Sequence, residues 1–198
     1  MPKPVIQVGI LNFFIFMKKN FVKFFVVFLF CAVSGMGVQA QNTFSKGDMV
    51  AGVGIGVSNL GFPMLSGTFE YCIKDNLFND KSSLGIGGLF GFATKKTGLG
   101  NGYGWKYNHI LLGARGALHY QLVDNLDTYA GLMMGYDIGT VKWYGDTAFN
   151  LGKSSAGGFL AAFHAGARYY FANNFGASAE FGGGYGIAYL QLGVAFKF

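Results

Sequence analysis

The chain has 198 residues, of which 12% are charged and 18% aromatic, with 33 glycines and 3 prolines. Charged residues normally make up about a quarter of a globular domain, so a water-facing shell of ordinary composition is excluded. The formal charge of +6 does not mark a nucleic-acid binder: Lys3, Lys18, Lys19 and Lys23 stand in the acid-free first forty residues, leaving 11 basic residues against 9 acidic ones with no basic stripe.

The first element is a leader. "MKKNFVKFFVVFLFCAVSGMGVQAQ", starting at Met17, has a basic start, an apolar run from Phe24 to Val33 and a Val-Gln-Ala sequence ending at Ala40. These are the three parts of a cleavable secretory signal peptide. The expected division is 17–40 as signal peptide, with cleavage after Ala40, and 41–198 as the mature domain. Residues 1–16 precede a complete signal and read as an upstream extension, with Met17 as the true start. The apolar run is too short for a retained spanning helix. Phe30 is too bulky for a lipid attachment at Cys31; cleavage removes Cys31 with the leader, so Cys72 is left alone and no intramolecular disulfide is expected.

Eight alternating segments follow, separated by turn residues: Asp48–Ser58, Leu65–Lys74, Ser83–Lys95, Asn108–Leu122, Thr128–Thr140, Gly158–Phe171, Phe175–Gly183 and Ile187–Phe198. Helical periodicity is absent, and glycine is too frequent within the segments for helices. The first segment places Met49, Ala51, Val53, Ile55 and Val57 on one face and glycines on the other. The second sets Leu65, Phe69 and Tyr71 against Ser66, Thr68 and Glu70; the third sets Ile86, Phe90 and Phe92 against glycines. In the fourth, Ile110, Leu112 and Leu118 oppose Arg115 and His119. In the fifth, Leu132, Met134 and Tyr136 oppose Asp137. The sixth sets Phe159 and Phe163 against His164 and Arg168, the seventh sets Phe175 and Phe181 against Ser178 and Glu180, and the eighth alternates up to Phe196 and Phe198.

Alternation of this kind fits two barrels. A soluble lipocalin-like barrel turns its apolar face inward around a ligand; a membrane barrel turns it outward to lipid. The polar faces are mostly Gly, Ala and Ser with one or two charges each, a poor solvent surface but a good filling for a narrow barrel. The expected fold is therefore all-β: an eight-stranded antiparallel up-and-down transmembrane β-barrel. Connections after even segments ("DNLFNDK", "VDNLD", "ANN") are compact, while two after odd segments, Lys96–Tyr107 and Val141–Ser155, are long. This asymmetry suits short periplasmic turns and longer outer loops.

On this strand pattern, the leader and the terminal "VAFKF", the chain resembles the small eight-stranded outer-membrane barrels of the OmpA/OmpX-like superfamily, and more narrowly the porin-family barrels of Bacteroidetes-type bacteria. The resemblance covers about Lys46 to Phe198 and carries no unique motif. It implies an outer-membrane location after export, and an assembly signal at Phe196 and Phe198 read by the barrel-assembly machinery.

A barrel of eight strands is filled by its own side chains. Glu70, Asp137 and Glu180 are expected inside with Arg115 and Arg168, and with His119 and His164 nearby. Folding the fourth and fifth segments about Leu126 sets Arg115 opposite Asp137; folding the next hairpin about Asn173 or Asn174 brings Arg168 to Glu180. Buried charges must pair, so these two pairs are expected, as a plug. The outer loops offer Trp105, Lys106, Trp143 and Tyr144 as contact residues, above lipopolysaccharide phosphates. No nucleophile elbow and no recurring metal-ligand spacing is present. The expectation is a non-enzymatic, monomeric protein without cofactor, whose partners are outer-membrane lipid and lipopolysaccharide and which acts in envelope integrity or surface interaction. A narrow passive pore is the alternative, and a lipid-modifying enzyme a further one.

Overall fold

The computed structural model describes residues 43–100, 103–145 and 153–198. The expected leader at 17–40 and the extension at 1–16 lie outside the described residues. Every element described is a strand: β1 (Met49–Ser58), β2 (Gly61–Asp75), β3 (Ser82–Gly100), β4 (Tyr103–Val123), β5 (Leu126–Tyr144), β6 (Lys153–Ser155), β7 (Gly158–Ala172), β8 (Phe175–Tyr185) and β9 (Ala188–Lys197). Each long strand pairs antiparallel with the next, β5 pairs with β7, and β9 returns to β1 from Val50↔Lys197 to Ser58↔Tyr189. The sheet thus closes into an eight-stranded barrel. β6 is a short addition that pairs with Thr140–Lys142 of β5, past the point where β7 begins.

Alternation decides which side each residue faces, because successive side chains of a strand point to opposite faces. Leu132 is 69% exposed and Val53 64%, while Glu70 between its exposed neighbours is 1% exposed. The barrel is inside-out: large apolar groups cover its wall and charged groups fill its lumen, the pattern of a transmembrane barrel. Asn76 and Asn125 occupy the left-handed backbone region, with φ of 53° and 62°, in the β2–β3 and β4–β5 connections on the end that also holds both described termini. Asn accepts that conformation more readily than most residues.

Two expectations about extent need correction. The segments Lys96–Tyr107 and Val141–Ser155 are not loops throughout. The β3–β4 ladder runs on through Lys96↔Lys106 and Thr97↔Trp105 to Gly100↔Tyr103, and β4–β5 reaches Gly104↔Tyr144. The opposite wall turns back at Asn59–Leu60 and at Gly186, so β3, β4, β5 and β6 project beyond it. The extra length holds because backbone groups left unpaired are costly and Thr97, Trp105, Tyr107 and Val141 suit a pleated surface.

Candidate functional site: the sealed lumen and the projecting strands

The lumen is built around Glu180 and Glu70. Arg115 donates from Nη1 and Nη2 to the two oxygens of Glu180, at 3.1 and 2.7 Å. Glu180 also accepts from Tyr129 Oη at 2.8 Å, Tyr189 Oη at 2.7 Å and Gln191 Nε2 at 3.2 Å. Arg168 donates to Glu70 through Nη2 and reaches Asp127 through Nη1 at 3.5 Å. Arg115 Nε sits 3.2 Å from Glu70 Oε1 as an ion contact outside hydrogen-bond geometry. The Tyr129 ring lies beneath both guanidinium groups, 4.4 Å from Arg168 and 5.7 Å from Arg115, a favourable cation–π arrangement. All of these charges are buried. Buried ions persist only when hydrogen bonds replace the lost water, and Glu180 has all its replacements.

Glycines make this geometry possible. Glu70, Gly87 and Arg115 stand side by side in register on β2, β3 and β4. With no side chain at Gly87, the acid and the base meet across the intervening strand.

The network is closed at both ends. Towards the projecting strands lies an apolar cluster of Met64, Leu89, Leu111, Met133, Leu160 and Ile187. At the other end, the segment before β1 folds into the mouth. Thr43 N donates to Gln121 Oε1 at 3.1 Å, and the buried Phe44 ring sits 4.3 Å from the ring of His119. Gly85 leaves the room: a Cβ there would stand 3.0 Å from Phe44. Between the stoppers, a cavity of about 20 Å³ borders Ser66, Tyr129, Arg168, Ser178, Glu180 and Gln191, room for about one water molecule.

The interior charges expected from the sequence (Glu70, Arg115, His119, Asp137, His164, Arg168 and Glu180) are all buried, but the two expected pairs are replaced. Arg115 does not meet Asp137, because β4 and β5 turn at Asp124–Asn125 with a bulge between Gln121 and Val123; Leu111 stands opposite Asp137 and Met133 opposite Arg115. Asp137 instead holds His109 Nδ1 at 2.7 Å. Arg168 does not meet Glu180: Ser178 is its register partner on β8, and its guanidinium goes to Glu70 and Asp127. Folding one hairpin at a time finds only neighbouring strands, whereas a narrow lumen joins strands across its diameter.

Asp127 was missed. It binds His119 Nδ1 at 3.0 Å as well as Arg168. Its signal was present: it shares the parity of Asp137 on β5. Phe44 gives no periodic signal, being outside the strands. His164 is fully buried with no hydrogen-bond partner at either ring nitrogen. Among the described residues no three His, Cys, Asp or Glu side chains converge on a metal position. Phe196 packs on Phe175, with ring centroids 4.6 Å apart. Phe198 exchanges backbone hydrogen bonds with Met49 and is 70% exposed as a residue.

The four outer contact candidates occupy strands and divide between the two faces. Trp105 and Trp143 are register partners on the face continuous with the lumen, with ring centroids 5.0 Å apart, and Tyr103 stacks on Trp143 at 6.2 Å. Lys106 and Tyr144 lie on the face continuous with the outer apolar wall, where Lys96 Nζ sits 5.9 Å from the Tyr144 ring.

No protein-family model and no curated protein sequence matches the chain. Solved structures do. The chain is similar to a major outer membrane protein from Thermus thermophilus, with TM-score 0.56 and 15% identity over 76% of this chain and 99% of that one. It is similar also to Ail, the attachment invasion locus protein of Yersinia pestis, with TM-score 0.51 and 13% identity over 77% of this chain and 99% of that one. Ail in complex with the heparin analogue sucrose octasulfate matches likewise, with TM-score 0.51 and 14% identity over 77% of this chain and 99% of that one. At these identities the likeness is one of fold, and the fold is that of the small eight-stranded outer-membrane barrels.

Proposed function

We propose that the protein is a non-enzymatic integral outer-membrane barrel with a closed interior, contributing to envelope integrity or surface interaction through its projecting strands. The observation that carries this reading is the filled lumen. The buried Arg115–Glu180–Glu70–Arg168 network is capped by Phe44 on one side and the Leu111–Met133 cluster on the other, and the cavity beside Glu180 has room for about one water. Such an interior suits a rigid anchor better than a conduit. The apolar outer wall supports insertion in lipid, and Phe198, exposed where its backbone pairs with Met49, suits an element read by the barrel-assembly machinery. The Yersinia pestis barrel is by name an attachment protein; for this chain, contact would fall to the strands that stand above the rim, with lipopolysaccharide as the nearest partner and a single copy as the working unit.

The narrow pore is the competing function, and conductance separates the two. Purified full-length protein inserted in planar bilayers is expected to give no steady current; a large steady conductance would overturn the closed-anchor reading. The enzyme alternative predicts altered acylation or headgroups in the lipid A of a deletion strain. Unchanged lipid A masses are expected.

A further inference from the structure

The projecting strands carry three lysines in one row. Lys96 is the register partner of Lys106, and Lys106 of Lys142. Register partners share a face and stand about 5 Å apart, where like charges repel. Lys96 and Lys142 are exposed, Lys106 is half-buried, and among the described residues no carboxylate pairs with any of the three. A row of this kind is unfavourable alone and becomes favourable with an anion lying along it.

The face it occupies says what kind of anion. Directly below come Thr94, Asn108 and Thr140, then Phe92, Ile110 and Ile138, which are exposed apolar groups of the outer wall. Further down the same strands the wall is hollowed. Two adjoining shallow, open furrows run where Gly88, Ala114, Gly116 and Ala130 stand low between Phe90, Leu132 and Phe163. Gly88, Ala114 and Met134 lie eight residues below Lys96, Lys106 and Lys142. That is about 26 Å along a strand at about 3.3 Å per residue, or about 20 Å along the barrel axis at a tilt of about 40°. Half a bilayer with its headgroups is about 20–22 Å thick. The row therefore stands at headgroup level when the furrow stands at the membrane midplane.

We propose that this wall is a binding site for a phosphate-bearing membrane lipid, its phosphate on the Lys96–Lys106–Lys142 row and the end of an acyl chain in the furrow beside Ala114 and Gly116. The proposal rests on the membrane-barrel reading and gives its outer contact a chemistry. It separates the lysines from the tryptophans: Trp105 and Trp143, on the opposite face, take no part. A soluble anionic protein would need only the lysines, whereas the furrow adds a place for an apolar tail.

The test uses the full-length protein inserted in phosphatidylcholine vesicles with or without a minority of phosphatidic acid. Lipid retained after transfer to mild detergent is counted by native mass spectrometry, and heat-modifiable gel migration checks insertion of every variant. The unaltered protein is expected to retain phosphatidic acid in preference to phosphatidylcholine. The combined variant Lys96→Gln, Lys106→Gln, Lys142→Gln is expected to lose that preference by roughly a hundredfold, at the strength of three surface lysines. Lys95→Gln, on the opposite face as partner of Tyr107, is expected to change nothing. Gly116→Leu fills the furrow where a Cβ meets only Gly85 O at 3.8 Å, and is expected to lower retention with the lysines intact. Soluble glycerol phosphate is expected not to displace the lipid. Equal retention of both lipids by an inserted barrel overturns this inference alone, as does displacement by glycerol phosphate or an effect of Lys95→Gln equal to that of the row. Failure of the unaltered protein to insert overturns the membrane reading along with it.

Discussion

Arg115 and His164 both sit inside the barrel, yet they differ in what they hold. Arg115 neutralises Glu180 by two hydrogen bonds and touches Glu70. Arg115→Met leaves both carboxylates short of their counter-charge, a change that costs about 3–5 kcal/mol in a buried network. His164 holds nothing by hydrogen bond, so His164→Leu exchanges an unpartnered polar ring for an apolar group and is expected to leave stability unchanged or raise it by about 1 kcal/mol. The urea midpoint of unfolding from lipid vesicles measures both; a larger loss for His164→Leu than for Arg115→Met contradicts the assignment. At this scale the sequence was readable in parity but not in partnership. Which residues face inward follows from the period of two, and by that rule Asp127 belonged with Asp137. Who meets whom depends on bulges of one residue, such as that between Gln121 and Val123, which leave no mark in the pattern.

Strands were readable for a plainer reason: each must put its large apolar groups on one side, and eight did so in order. Their ends were not. "KTGLGNGYGWKY" reads as a loop by its glycines, yet Thr97 and Gly98 still pair with Trp105 and Gly104, since the neighbouring strand supplies hydrogen bonds that local propensity does not anticipate. Glycine inside the strands has a packing meaning instead. At Gly87 a Cβ would stand 1.8 Å from Phe69 O, between Glu70 and Arg115. Gly87→Val is expected to cost about 1–3 kcal/mol from overpacking, beyond the ion contact it severs, and to lower the yield of folded barrel in vesicles. Gly183, on β8, meets nothing within 4 Å, so Gly183→Val is expected to fold like the unaltered protein. Equal yields for the two variants contradict the close-approach argument.

Across the barrel, the residues divide by solvent. On β4 the exposed apolar positions run from Ile110 to Leu122, about 40 Å along the strand at about 3.3 Å per residue and about 30 Å along the axis at the usual tilt, close to the thickness of a bilayer core. Inside that height lie Glu70, Arg115, Asp127, Arg168 and Glu180, each buried. Closure follows from the same setting, because an open sheet edge has no water to satisfy it in hydrocarbon; the β1–β9 ladder removes the edge. The apolar wall therefore meets lipid while the charges are shut inside a closed sheet. Gel migration of the protein extracted from membranes with detergent tests it most directly, run with and without boiling. A compact, faster-running band is expected before boiling and a slower one after. A protein that stays in solution without detergent and runs as one band under both conditions would contradict this arrangement.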